Sequence, residues 1–283
     1  MPVRAAPQVQ VVRTTANSVE LAVAVAGSGP ALVLLHGWPH THRVWDEVVP
    51  ALSREHRVIA PDLRGLGDSA RPREGYDAAT IAADIAGLLD ALELPTAAVM
   101  ALDASVPAAF LFAMGHPERV RRLVLMESLL TPLTGAEEFL AAGPPWWFGF
   151  HAVAGLAETV LPGHEAEYIN WFLTAGTSHP DRVPAELRAA FVRAYTGTES
   201  LRSGFAYYRA MPENARQIAA AAAAARLRVP TLAVGAGSVG PALHRQLSTI
   251  ADDLTGHLIP DCGHIIPLDR PDALLAAVMP FLR

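Results

Sequence analysis

The sequence predicts an α/β fold with a largely parallel sheet, interrupted once by a run of helices. Three observations carry that prediction. Apolar runs of strand length alternate with helical stretches over roughly the first 130 residues, and again after about residue 225. Between Thr131 and Ala224 the alternation stops and no strand-like run occurs. Finally, His36, Asp103, Glu127 and His264 each follow a predicted strand, and open parallel sheets carry their sites at the carboxyl ends of strands.

Gln8 to Arg13 and Val19 to Val25 read as two opening strands, with Asn17-Ser18 as the turn between them. Gly27-Ser28-Gly29-Pro30 breaks the chain. Ala31 to Leu35 is continuously apolar, the pattern of a strand buried on both faces, and it ends in His36-Gly37-Trp38-Pro39. Val44 to Arg54 has helical spacing. Val58-Ile59-Ala60 is a short strand that feeds the glycine-punctuated loop Pro61 to Ser69. Ala78 to Leu92 is an amphipathic helix. Thr96 to Leu102 is an apolar strand ending at Asp103, and a small-residue helical run begins directly after it. Val120 to Met126 is the next strand and ends at Glu127.

The interruption holds an aromatic stretch, Pro144 to Phe150, and helical stretches at Glu165 to Phe172, Pro184 to Tyr195 and Gly204 to Arg209. An alanine-rich run over 218–225 closes it as a helix, alanine being the best helix former. The α/β pattern resumes with a strand at Val229 to Val234, a helix at Pro241 to Ile250, a short strand at Leu258-Ile259 and a closing helix at Pro271 to Leu282. The expected division is a core of residues 1–130 and 225–283 and a helical cap of residues 131–224.

Composition removes several function classes. The chain has 283 residues, 51% of them hydrophobic, with a net charge of −6 and no basic run, which argues against a nucleic-acid partner. No apolar run approaches the roughly 18 residues of a membrane span, and the N-terminus lacks a secretory pattern. One cysteine, Cys262, leaves no internal disulfide and fits a reducing compartment. A cytoplasmic protein is the expectation.

Asp103 is the residue on which function turns. An acid at the tip of a buried strand, flanked by Ala101 and Ser105, suggests a strand–turn–helix elbow whose apex is exposed and whose neighbours must be small. The same acid also reads as a helix N-cap. From this stretch alone the two stand level.

Taken together, the motifs resemble the α/β-hydrolase family in its epoxide-hydrolase and dehalogenase branch. The markers are His36-Gly37-Trp38-Pro39, the loop Pro61 to Ser69, the elbow at Asp103, and Gly263-His264. Phe205-Ala206-Tyr207-Tyr208-Arg209-Ala210-Met211 is similar to the tyrosine-bearing segment of epoxide hydrolases. Leu125-Met126-Glu127 and Trp146-Trp147-Phe148-Gly149-Phe150 are similar to Cif-type epoxide hydrolases, which carry a histidine at the Trp147 position. The tryptophan pair also resembles enzymes that tailor aromatic-polyketide epoxides in antibiotic biosynthesis. Two departures stand out. The elbow reads Ala-Leu-Asp-Ala-Ser where the family has Gly-His-Asp-x-Gly. The segment after Val229–Val234 reads Gly235-Ala236-Gly237-Ser238-Val239-Gly240, without the carboxylate the family often places there.

The resemblance implies an α/β-hydrolase fold with the cap inserted after the sixth strand, and a set of roles. Asp103 is the nucleophile, already ionised at neutral pH, and forms an ester. His264 is the base that activates water against that ester, and Glu127 supplies the acid of the triad. The backbone N–H groups of Trp38 and Ala104 form the oxyanion hole. Tyr208 protonates the departing oxygen, with Tyr207 the alternative if the register slips by one. Trp147 is a second hydrogen-bond donor. Trp146, Tyr207 and His36 are expected in the substrate pocket. No cofactor and no metal are expected. The expected partner is a small-molecule epoxide, with no nucleic acid and no membrane, and a homodimer stays open.

Two rival readings remain at this point. A haloalkane or haloacid dehalogenase uses the same Asp, His and Glu, but haloalkane enzymes commonly place Trp after the nucleophile where this chain has Ala104. Haloacid enzymes place arginines just after it, and Ala104 to Phe110 has none. A non-catalytic binding protein on the same scaffold is the other rival. A serine esterase is disfavoured because Ser105 lies off the apex.

Overall fold

The computed structural model describes residues 8–141 and 143–283. Eight strands form one sheet: β1 (Gln10–Ala16), β2 (Val19–Ala26), β3 (Ala31–Leu35), β4 (Arg57–Pro61), β5 (Ala97–Leu102), β6 (Val120–Met126), β7 (Thr231–Gly235) and β8 (Leu254–Leu258), in the order β1-β2-β4-β3-β5-β6-β7-β8. β1 pairs antiparallel with β2, and β2 with β4; every other pairing is parallel. Every residue of β3, β5 and β7 is buried, as expected of parallel strands covered on both faces.

The helices are α1 (Val49–Leu52), α2 (Ala78–Ala91), α3 (Val106–Gly115), α4 (Glu137–Leu140), α5 (Trp146–Ala152), α6 (Leu156–Val160), α7 (Glu165–Ala175), α8 (Ala185–Ala194), α9 (Thr198–Arg209), α10 (Met211–Ala224), α11 (Ala242–Ser248), α12 (Ile266–Asp269) and α13 (Pro271–Leu282). Helices α4 to α10 all lie between β6 and β7, and among the described residues that stretch forms no strand. Asp77 opens α2 by accepting from the Thr80 N–H at 3.1 Å.

Three differences from the sequence reading have a local cause. Val44 to Arg54 is not one helix but a 3-10 turn at His42–Trp45 followed by α1. Pro50 lies in the first turn of α1, where a missing N–H is harmless, and a longer helix could not run through it. β7 starts at Thr231 rather than Val229, because Pro230 cannot donate to a ladder. β8 covers Leu254–Leu258 rather than Leu258-Ile259. It is an edge strand with mostly exposed side chains, so no apolar run marks it.

Register positions the site. Leu35 of β3 is paired with Ala101 of β5, Leu102 with Met126 of β6, and Met126 with Val234 of β7. These four central strands therefore end at nearly one level, and the residues that follow them meet above one edge of the sheet.

Candidate active site

The β5–α3 connection is a strained elbow. Asp103 sits at φ 57, a left-handed conformation that non-glycine residues avoid, and a 3-10 turn over Asp103–Ser105 leads into α3. Ser105 replaces a glycine without cost to the turn. Its buried hydroxyl lies 3.0 Å from the Leu35 carbonyl and 2.9 Å from that of Leu102, and accepts from the Leu102 N–H at 3.2 Å. Those contacts commit the Ser105 hydroxyl to the backbone, away from any role as a nucleophile. Gly37 is required for a different reason: a Cβ there would collide with the Asp103 carboxylate. Asp103 does not cap α3; its Oδ2 accepts from the Trp38 N–H at 3.0 Å. Ala104 forms the cavity wall beside it.

His264 bridges two carboxylates. Its Nε2 lies 3.6 Å from Asp103 Oδ1, and its Nδ1 lies 3.3 Å from Glu127 Oε2. Glu127 is buried and also has a positive φ, 47. It accepts from the Ala236 N–H at 2.5 Å and from the Val239 N–H at 3.1 Å. The loop after β7, which lacks the family's carboxylate, thus turns its backbone donors onto the carboxylate that follows β6. A buried carboxylate needs such partners, and here they come from the loop after β7.

Burial alone would lower the His264 pKa. The close carboxylates of Asp103 and Glu127 outweigh it and raise the imidazole to about 10. The folded chain therefore keeps a proton that the unfolded chain releases near its ordinary 6.5. The His264 contribution to stability is fully present below pH 6.5 and is lost as pH rises through about 10. Urea midpoints of the wild type and His264→Gln should accordingly converge across that window. A gap that stays constant from pH 6.5 to 10 would contradict an imidazolium held between two carboxylates.

Asp269, at the end of α12, is a supporting residue that sequence reasoning missed. Its buried carboxylate accepts from the Gly263 N–H at 2.5 Å, next to His264, and from the N–H groups of Ser178 and His179 at 2.8 and 2.9 Å. Burial works against its charge, but these donors hold the carboxyl below its ordinary value. Asp269 thus fastens the His264 loop to the segment after α7. Pro-Leu-Asp-Arg-Pro carries no local sign of that role. Cys262 is inert here, its thiol pushed up to about 12, first by burial and then by Asp269 and Glu127.

A cavity of about 640 Å³ opens over Asp103, Glu127 and His264. Tyr208 and Trp147 line it. The Tyr208 hydroxyl makes no hydrogen bond among the described residues; its ring packs on Trp38, Phe148 and His151. Burial first, and then the Asp103 charge, raise its pKa well above the ordinary value. Tyr207 also lines the cavity, but its hydroxyl is committed to the Arg64 carbonyl at 2.9 Å. Behind Tyr208, His151 and the Tyr168 hydroxyl share a 2.6 Å hydrogen bond. Burial and the nearby Arg209 hold His151 down at about 3, so it stays neutral. Neither residue stood out in the sequence, because aromatics at helical spacing read as core.

Two pocket expectations are corrected. His36 does not reach the cavity. It is wholly buried beneath the site, its Nδ1 donating to the Gly37 carbonyl at 2.8 Å and its Nε2 accepting from the Leu63 N–H at 3.2 Å. Those bonds brace the loops after β3 and β4. Trp146 is 56% exposed and lies outside the cavity lining, packed edge-on against Trp147 and Trp171. As neighbours on α5, Trp146 and Trp147 point about 100° apart, so only one can face inward.

Comparison with known proteins places the chain in a family. Residues 30–271 match the model of the alpha/beta hydrolase fold. A soluble epoxide hydrolase from Corynebacterium sp. (strain C12) is 30% identical over 280 residues, covering 94% of each chain. The crystal structure of Cfl2 from Burkholderia cenocepacia superimposes with a TM-score of 0.88 at 34% identity, covering 100% of this chain and 98% of that one. The epoxide hydrolase CorEH superimposes with a TM-score of 0.88 at 28% identity, covering 97% and 98%.

Proposed function

The chain belongs to the α/β-hydrolase fold family, in its epoxide-hydrolase branch, and from that premise we propose that it hydrolyses an apolar, ring-bearing epoxide to a vicinal diol through an ester on Asp103. The observation that carries this reading is the line Asp103–His264–Glu127, at 3.6 and 3.3 Å, facing an unpaired tyrosine hydroxyl in an apolar cavity. We read residues 131–224 as the cap that closes this cavity.

In the first step Asp103 Oδ1 attacks an epoxide carbon. The C–O bond breaks and the departing oxygen takes the Tyr208 proton. An indole N–H is no acid, so Trp147 steadies that oxygen as a donor only. Oδ2, already bonded to the Trp38 N–H, becomes the ester carbonyl oxygen. In the second step His264, which passes its resting proton to solvent once Asp103 is esterified and regains one when Asp103 is freed, removes a proton from water, and the resulting hydroxide attacks the ester carbon. The oxyanion forms on Oδ2, where the N–H groups of Trp38 and Ala104 receive it. Collapse expels the diol oxygen, which takes the proton from His264. The remaining water proton returns to the Tyr208 phenolate, and Asp103 is regenerated.

One charge links the two steps. Esterification neutralises Asp103, which removes a charge that holds the proton on His264. The same loss removes a charge that disfavours the Tyr208 phenolate. Each group is thereby eased toward the form that the ester intermediate needs.

The test is single-turnover alkylation of Tyr208→Phe with an epoxide and with a bromide of the same carbon skeleton. Loss of a general acid costs about 10²–10⁴ in rate. The epoxide should slow by that order and the bromide far less, because bromide leaves without a proton. Equal slowing of both would make Tyr208 a packing residue and would favour halide displacement as the native reaction.

A further inference from the structure

Ser128, Thr131, Trp171, Asn214 and Ser238 bring side-chain donors to the cavity wall that the reaction does not use, and Asn214 is the one among them whose orientation a hydrogen bond fixes. Met211, Asn214, Ala215 and Ile218 line the cavity from α10, and their spacing makes them one face of that helix. Asn214 is the polar member of an otherwise apolar stripe. Its Oδ1 accepts from the Ala78 N–H at the start of α2, at 2.7 Å. That partner is a donor, so the atom facing it is the oxygen and the orientation of the carboxamide is settled. Its Nδ2 makes no hydrogen bond among the described residues.

The neighbour one turn along α10 shows the contrast. Gln217 also accepts from the start of α2, from the Ala79 N–H at 2.9 Å, but its Nε2 donates to Asp77 at 2.7 Å and to Glu213 at 3.0 Å. Gln217 fully serves the α10–α2 contact. Asn214 serves that contact with one end and keeps the other spare. Among the described residues the cavity lining contains no Lys or Arg, and its carboxylates are Asp103 and Glu127. Nothing there would select an anionic or a cationic substrate.

We propose that Asn214 is a substrate-binding residue whose Nδ2 donates to a neutral oxygen acceptor of the epoxide, a carbonyl in the best case, remote from the oxirane. The substrate class is then a neutral, oxygenated, ring-sized epoxide rather than a plain hydrocarbon one. This inference rests on the epoxide-hydrolase reading. A neutral donor and acceptor contribute modestly, so the acceptor should improve kcat/KM by roughly 3- to 10-fold, mainly through KM.

The probes are 1,2-epoxy-1,2,3,4-tetrahydronaphthalene and its derivatives with an acetyl group at each free position of the aromatic ring. For the wild type, at least one acetylated isomer should be preferred over the parent by that factor. Asn214→Leu should abolish the preference. Asn214→Asp keeps an oxygen for the Ala78 N–H but has no donor, and should abolish it as well. A wild type that prefers no isomer, or a preference that survives in Asn214→Asp, would overturn the proposal and leave Asn214 as a helix clamp. Failure of the wild type to open the parent and every isomer would instead overturn the epoxide reading, and this inference with it.

Discussion

Asp103→Asn should lose at least about 10⁴-fold in kcat while keeping its fold, the scale seen when one member of a catalytic unit is removed. The amide is not a nucleophile toward carbon. Its oxygen still accepts from the Trp38 N–H, so the elbow and its contact with the loop after β3 remain satisfied. The left-handed backbone at this position also tolerates asparagine better than most residues. Diol formation from styrene oxide, beside a circular dichroism melt, checks both halves. Retention of more than about 1% of the wild-type rate in freshly purified protein would remove Asp103 from the reaction.

His264→Gln should separate the two steps. Alkylation of Asp103 needs no base, so substrate should be consumed at about one equivalent per active site. Water attack then lacks its base and should slow by about 10²–10⁴. Quenched-flow kinetics should show a burst followed by a slow phase. The wild type should show hydrolysis of the ester with an apparent pKa below the value of about 10 that His264 has beside ionised Asp103. If alkylation and hydrolysis fall together in a folded His264→Gln protein, the imidazole acts on both steps.

Much of the frame was legible in the sequence because parallel strands and their strand-end residues leave local marks. Ala31 to Leu35 is apolar throughout and Leu123 to Met126 is apolar ahead of Glu127, and both strands have the bounds read from the sequence. Asp103, Glu127 and His264 were visible as polar residues interrupting such patterns. What lay hidden depends on side-chain direction and on long-range backbone contacts. The Glu127 partners come from Ala236 and Val239, more than a hundred residues away, and no local pattern encodes them. Asp269 is silent for the same reason. The sequence puts Tyr208 first with Tyr207 as the alternative; in the structure the Tyr207 hydroxyl is bonded to Arg64, and that of Tyr208 makes no hydrogen bond among the described residues. β8 was misplaced because an exposed edge strand shows no apolar alternation.

The ester on Asp103 is tested most directly by the origin of the oxygen added to the diol. In a single turnover in ¹⁸O-water, with enzyme in excess over epoxide, the attacking oxygen comes from Asp103 itself. The diol should therefore carry only ¹⁶O, and the peptide containing Asp103 should gain one ¹⁸O. Label in the diol after that first turnover, with none in the Asp103 peptide, would mean that water opens the ring directly and that no ester forms.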